Sequence, residues 1–183
     1  IKDIRKLLIL FFTGILIFSN WSVWIYAVTT DQIIDASFGY FIMPIISIFL
    51  GYFFFKENIS KKGKFSIFIV IISILYLLFI DFKSIPWIGL LVAVLWSVYN
   101  LIRKKINVDT DVGLFIESLL IFPFILFAFY IITKNNFNDF ELSNPSLMLI
   151  LILAGPMTVI PLFLYVRGVE LSGLGPAGMI FYI

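Results

Sequence analysis

Glu117 is the residue with the clearest chemical potential, a lone carboxylate inside a long apolar run. A charge at the centre of a bilayer costs roughly 2.5 to 3.5 kcal/mol on insertion scales, so such a group is expected to face a cavity or a partner. Two readings stay open. Glu117 binds a cationic substrate group or takes up a proton, or it pairs with Arg103 or Lys104 at the membrane rim. Asn20 lies in the middle of another apolar run, where an amide needs partners because water is absent. It is either a substrate ligand or interhelical glue. Ser37, Tyr40, Pro44 and Ser47 recur at helical spacing on one face of a third run, and Trp96, Tyr99 and Asn100 cluster late in a fourth. These faces could line a path, as could Trp24. Trp21, Trp24 and Tyr26 also suit interface anchors. Pro44, Pro123 and Pro161 fall inside apolar runs, where each withholds a backbone donor and favours a kink.

The 183-residue chain has neither cysteine nor histidine, which excludes disulfides, thiol nucleophiles and imidazole chemistry. No phosphate loop follows from Gly168, Gly173, Gly175 and Gly178, because the lysine of that motif is missing; close helix approach or a hinge is the alternative. No nucleic-acid module, metal motif or cofactor motif is seen. A membrane enzyme acting on lipid-linked substrates would be expected to cluster carboxylates or histidines near one membrane face, and Glu117 stands nearly alone.

The elements that must hold these residues are membrane spans. Hydrophobic residues make up 62% of the chain and charged ones 13%, with a mean hydropathy of +1.11. A soluble fold could not cover that much apolar surface. Apolar runs lie at 7–29, 34–55, 65–80, 86–102, 113–133 and 147–167, with a seventh starting near 173; each of the six is close to the length of about 20 helical residues that crosses a bilayer. Alternate boundaries carry eleven of the 13 basic residues: Lys2, Arg5 and Lys6; Lys56, Lys61, Lys62 and Lys64; Arg103, Lys104 and Lys105; Arg167. The other boundaries hold only Lys83 and Lys134, beside Asp31, Asp35, Asp81, Asp139 and Glu141. The positive-inside rule therefore expects the residue 1 side to be cytoplasmic in a bacterial inner membrane.

A gapless offset lays the first run and the start of the second over the sixth and seventh. Gly14 meets Gly155, Trp24 meets Tyr165, Ala36 meets Ala177 and Phe41 meets Tyr182. The offset spans five helices, an odd number, so the two copies have opposite orientation. Inverted repeats of this kind build two gates around a midplane site in many carriers, and they bring Tyr182 into the candidate path. The chain opens at Ile1 and stops at Ile183 inside an apolar run, so it reads as part of a longer protein and is not expected to transport by itself.

Several stretches resemble the RarD branch of the EamA family in the drug/metabolite transporter superfamily. They are Asn20-Trp21, Ile25-Tyr26-Ala27-Val28, Ala36-Ser37-Phe38-Gly39-Tyr40-Phe41-Ile42-Met43-Pro44, Tyr99-Asn100-Leu101-Ile102-Arg103-Lys104-Lys105, and Ile116-Glu117-Ser118 with Pro123. They follow the family's order and spacing over essentially the whole chain. Asp35, Met43 and Asn100 depart from its usual Glu, Asn and Gly. The resemblance implies an all-α polytopic membrane protein of inverted five-helix repeats and ten spans. Residues 1–82 would end the first repeat and 83–183 would form a truncated second. It also implies export or exchange of small metabolites or drugs. Membrane lipids, a small-molecule substrate and protons are the expected partners, with homodimerisation left open. A non-transporting scaffold or sensor is the competing function.

Overall fold

The structure is a computed structural model that describes residues 3–80, 85–135 and 144–180; Tyr182, Lys2, Asp81, Lys83, Asp139 and Glu141 lie outside the described residues. It is an α-helical bundle of α1 (Ile4–Thr29), α2 (Ile33–Phe55), α3 (Lys61–Ile80), α4 (Trp87–Ile106), α5 (Thr110–Lys134), α6 (Pro145–Ser172) and α7 (Leu174–Ile180). The first six are long and apolar enough to cross a membrane. Helix lengths of 20 to 28 residues correspond to about 30 to 42 Å, enough for the hydrocarbon core.

Local chemistry sets the helix ends. The Asp3 carboxylate accepts from the Arg5 N–H at 2.9 Å and starts α1. Asn144 accepts from the Leu147 N–H at 3.1 Å, and Pro145 follows at the first turn of α6, where a missing N–H costs nothing. Lys56 and Asn107 close α2 and α4 in the left-handed region.

Several helix ends lie three to five residues outside the sequence reading, at Ile4, Lys61, Ile106, Thr110 and Ser172. The basic stretch 61–64 is the first turn of α3 and not a loop, because the Ser60 hydroxyl accepts the Gly63 N–H at 3.0 Å and caps the helix there. Helix α6 continues past Arg167 to Ser172 and carries Glu170 in its last turns. Charged side chains at a membrane edge extend toward water while their backbone stays helical, so hydropathy marks such ends too early.

Contacts between helix ends sort the connections onto two faces. On one, Glu57 after α2 meets Lys104 near the end of α4 and Leu174 at the start of α7, while Thr110 at the start of α5 meets Glu170 near the end of α6. On the other, Asp35 at the start of α2 accepts from the Gly89 N–H in the first turn of α4 at 3.0 Å. The first face holds the basic boundaries, so the alternation of charge in the sequence is an alternation in space.

Lipid tails are as apolar as leucine, so helices in a bilayer associate through close packing and not through the hydrophobic effect. The most extensive contact is between α2 and α4, whose backbones come very close at Gly39 and Gly89, toward one end of the seam. A methyl group on Gly39 would lie 2.4 Å from the Gly89 carbonyl oxygen. Ser97 crosses the same seam, donating to the Met43 carbonyl at 3.3 Å and accepting from Ser47 at 3.4 Å. The outward surface is apolar: Phe79 is 85% exposed and Ile34 76%, as lipid contact requires and water would not tolerate. Substituting Gly39 by Leu is expected to cost at least about 2 kcal/mol through backbone displacement, whereas Gly155→Ala, in open space, stays within about 0.5 kcal/mol. Thermal unfolding of the two variants in detergent measures the difference.

Candidate functional site

Two adjoining cavities lie along α6. One, of about 370 Å³, is enclosed by α1, α5 and α6 and lined by Gly14, Glu117, Ser118 and Phe122 among others. The second, of about 290 Å³, is walled by aromatic residues of four helices: Trp21 of α1, Tyr40 of α2, Trp96 of α4 and Tyr165 of α6. Trp21, Thr158 and Leu162 border both, so the two cavities adjoin along these side chains. The Trp96 and Tyr165 rings pack at 5.4 Å, and Trp24 stands edge-on to Tyr40 at 5.2 Å. Pro44 and Pro161 withhold the N–H that would bond the carbonyls four residues back, those of Tyr40 and Met157. Both residues line the aromatic cavity.

Glu117 forms the end of this space nearest the basic face. Thr13 of α1 donates to its Oε1 at 2.6 Å, and the Tyr99 hydroxyl of α4 donates to Oε2 at 3.2 Å. The Arg103 Nε lies 3.5 Å from Oε1, and Arg103 Nη2 lies 3.7 Å from Glu170 Oε1. Arg103 is therefore shared by carboxylates of α5 and α6, at distances long for hydrogen bonds to either. Arg167 and Thr110 complete the cluster by binding Glu170. Gly113 leaves room for the guanidinium, which a side chain there would strike. The Arg103 and Glu117 side chains are only 1% and 3% exposed, so each charge relies on the other for compensation.

Of the two sequence readings of Glu117, pairing with Arg103 is present, and Lys104 is engaged elsewhere. Lys104 Nζ donates to Glu57 Oε1 at 2.6 Å and sits 4.6 Å from the Phe55 ring centroid. Burial alone would raise the Glu57 carboxyl, but the hydrogen bond from Lys104 and those from the Gly175 and Leu174 N–H groups outweigh it and hold the group below its ordinary value. Glu57 is thus a carboxylate at neutral pH.

The remaining candidates divide between cavity wall and helix seam. Tyr40, Trp96 and Glu117 line the space, and Tyr99 and Trp24 brace it from behind. Asn20 faces away from it, donating to the Val92 carbonyl at 2.9 Å in the geometry of interhelical glue. Pro44 is packed near Gly178, and Asn100 is buried with its amide donating to its own helix at the Trp96 carbonyl. Ser37 is half-buried and is not among the residues lining either cavity. Sequence reasoning missed Glu170, Thr13 and Thr158. Trp21, which suited an interface anchor, lines both cavities together with Thr158 and Leu162.

Fold and surface together define an all-α polytopic membrane protein, and the comparisons with known proteins agree. Residues 1–79 match the EamA-like transporter family. The chain is 31% identical to the protein RarD of Escherichia coli over 183 residues, which is 100% of this chain and 62% of that protein. It is 32% identical to the uncharacterized transporter YojE of Bacillus subtilis over 100% of this chain and 61% of the relative. It is 31% identical to an uncharacterized transporter of Vibrio cholerae over 98% and 59%. Together these matches liken the chain to the EamA-like transporter family over its first 79 residues and to RarD and uncharacterized transporters over nearly its whole length. The chain spans 59% to 62% of the length of these relatives. No solved structure matches.

Removing Arg103 leaves the buried Glu117 carboxylate with no cation beside it and Glu170 with Arg167 alone, so Arg103→Met is expected to cost about 3 to 5 kcal/mol. Arg103→Met with Glu117→Met removes charge from both sides and should recover much of that loss. Thermal unfolding in detergent checks the pair.

Proposed function

We propose that the protein to which this chain belongs is a secondary carrier that exports or exchanges small metabolites or drugs by alternating access. The observation that carries this reading is the placement of Glu117: a buried carboxylate on the wall of a cavity of about 370 Å³ that adjoins one of about 290 Å³, with walls otherwise mostly apolar or aromatic. Small-molecule sites have this character, with few polar groups fixing orientation inside a largely apolar surface. The aromatic faces suit a flat or alkyl body, and the carboxylate suits a cationic group or a proton. The likeness to relatives named as transporters supports the same class.

In this reading the basic face is cytoplasmic, by the positive-inside rule, and the membrane is the bacterial inner membrane. Residues 1–82 are the end of one five-helix repeat and 83–183 much of its inverted counterpart. Six spans and part of a seventh in about 60% of the relatives' length fit roughly ten in all. Trp21, Tyr40, Trp96, Tyr165 and Glu117 contact the substrate.

Flux of amino acids, other metabolites and chloramphenicol into proteoliposomes of the full protein, with and without a pH gradient, tests the proposal. Gradient-dependent flux that falls at least about tenfold in Glu117→Gln and in Trp21→Ala is the expected result. Unchanged flux in both variants would overturn the assignment of the site.

A further inference from the structure

Two polar layers lie on the basic-face side of the cavities. The inner one is the Arg103 cluster. The outer one is centred on Glu57, whose carboxylate reaches three elements at once. Oε1 accepts from Lys104 Nζ at 2.6 Å and from the Leu174 N–H at 2.9 Å, and Oε2 accepts from the Gly175 N–H at 2.7 Å. Glycines shape its seat. A methyl group on Gly51 would lie 2.6 Å from Glu57 Oε2, one on Gly173 would lie 2.7 Å from Oε1, and one on Gly175 would lie 3.1 Å from Oε2. Gly173 also adopts φ +102°, which L side chains rarely take, and this turn aims the α7 N–H groups at the carboxylate.

The seat joins the α2 and α4 side of the bundle to the α6–α7 junction, the boundary a solute would cross to leave the cavities at the basic face. The final turns of α6 bury Val166 and Val169 and bind through Glu170. The two charged layers also differ. Arg103 and Glu117 are 1% and 3% exposed, but Lys104 and Glu57 are 18% each. A pair at the rim regains water as it separates, so it can open and close repeatedly where a fully buried pair would resist.

We propose that Glu57, Lys104 and the Leu174–Gly175 backbone form a latch that holds the basic-face gate of the carrier shut, and that its release lets the α6–α7 junction move off α2 and α4. The proposal rests on the carrier reading above, and its test does not depend on finding a substrate. This chain has no cysteine, so Thr158→Cys, on the wall of both cavities, gives a reporter thiol unique within it. In the full protein in sealed vesicles, with any cysteine outside this chain replaced, the labelling rate of that thiol by a membrane-impermeant maleimide applied at the basic face is measured.

Adding Glu57→Gln or Lys104→Met is expected to raise the rate about tenfold, the scale set by loss of a charge-assisted hydrogen bond, while Lys104→Arg leaves it unchanged. Glu57→Cys with Leu174→Cys, oxidised to a disulfide, should suppress labelling, and reduction should restore it. This second arm stands even if the charge-removing variants fold poorly. Labelling unaffected by Glu57→Gln in folded protein, or undiminished by the disulfide, would overturn the latch. Labelling that follows the latch while no compound is transported would support the latch and count against the carrier reading.

Discussion

A guanidinium that cannot reach water organises the basic half of this molecule. Arg103 extends from near the end of α4 into a setting with 1% exposure, and a cation there persists only when anions are brought to it. Glu117 comes from α5 and Glu170 from α6, while Thr13 of α1 and Tyr99 of α4 orient the Glu117 carboxylate. Four helices are thereby tied at one depth. Apolar packing in lipid could not supply that registration, because it offers little preference between protein and lipid neighbours. The cavity lies where it does because this polar layer ends it.

The same layer gives the site its asymmetry. Toward the opposite face the walls are aromatic and apolar, and the helices are joined through Asn20 to Val92 and Asp35 to Gly89, bonds that lie in helix seams and leave the cavity unobstructed. Toward the basic face the polar contacts converge on α6 and α7. In the carrier proposed above, a solute in the aromatic space would meet a carboxylate already balanced by Arg103 and would have to share or replace part of that balance.

Much of the fold is legible in the sequence because bilayer thickness imposes a length on every helix, and the apolar runs display it directly. The alternation of basic boundaries is legible because orientation is written in charge. The ends are less so. Hydropathy drops at Lys61 and at Arg167, yet Ser60 caps the helix that includes the first, and α6 carries on through the second to Ser172. Within the site, Glu117 stands out because a lone carboxylate among apolar residues has no bland composition to hide in. Glu170, the second carboxylate beside Arg103, is masked by that early helix end. Thr13 pairs with a residue 104 positions away, and no local pattern predicts it. Trp21 was ambiguous for a physical reason: a large aromatic ring suits a headgroup interface and a cavity wall equally, and only the position of α6 decides between them.

The backbone-to-backbone crossing of Gly39 and Gly89 has a mechanical meaning. With no side chains between them, α2 and α4 cannot slide past one another without collision, and the serine bridge through Ser97 and the Asp35 cap fix their remaining freedom. These two helices, with α1 packed on α4, form the most closely knit part of the described bundle. Two hydrogen atoms in place of two methyl groups set how near their axes can lie, and the frame against which the carrier proposed above would have to move is fixed by that spacing.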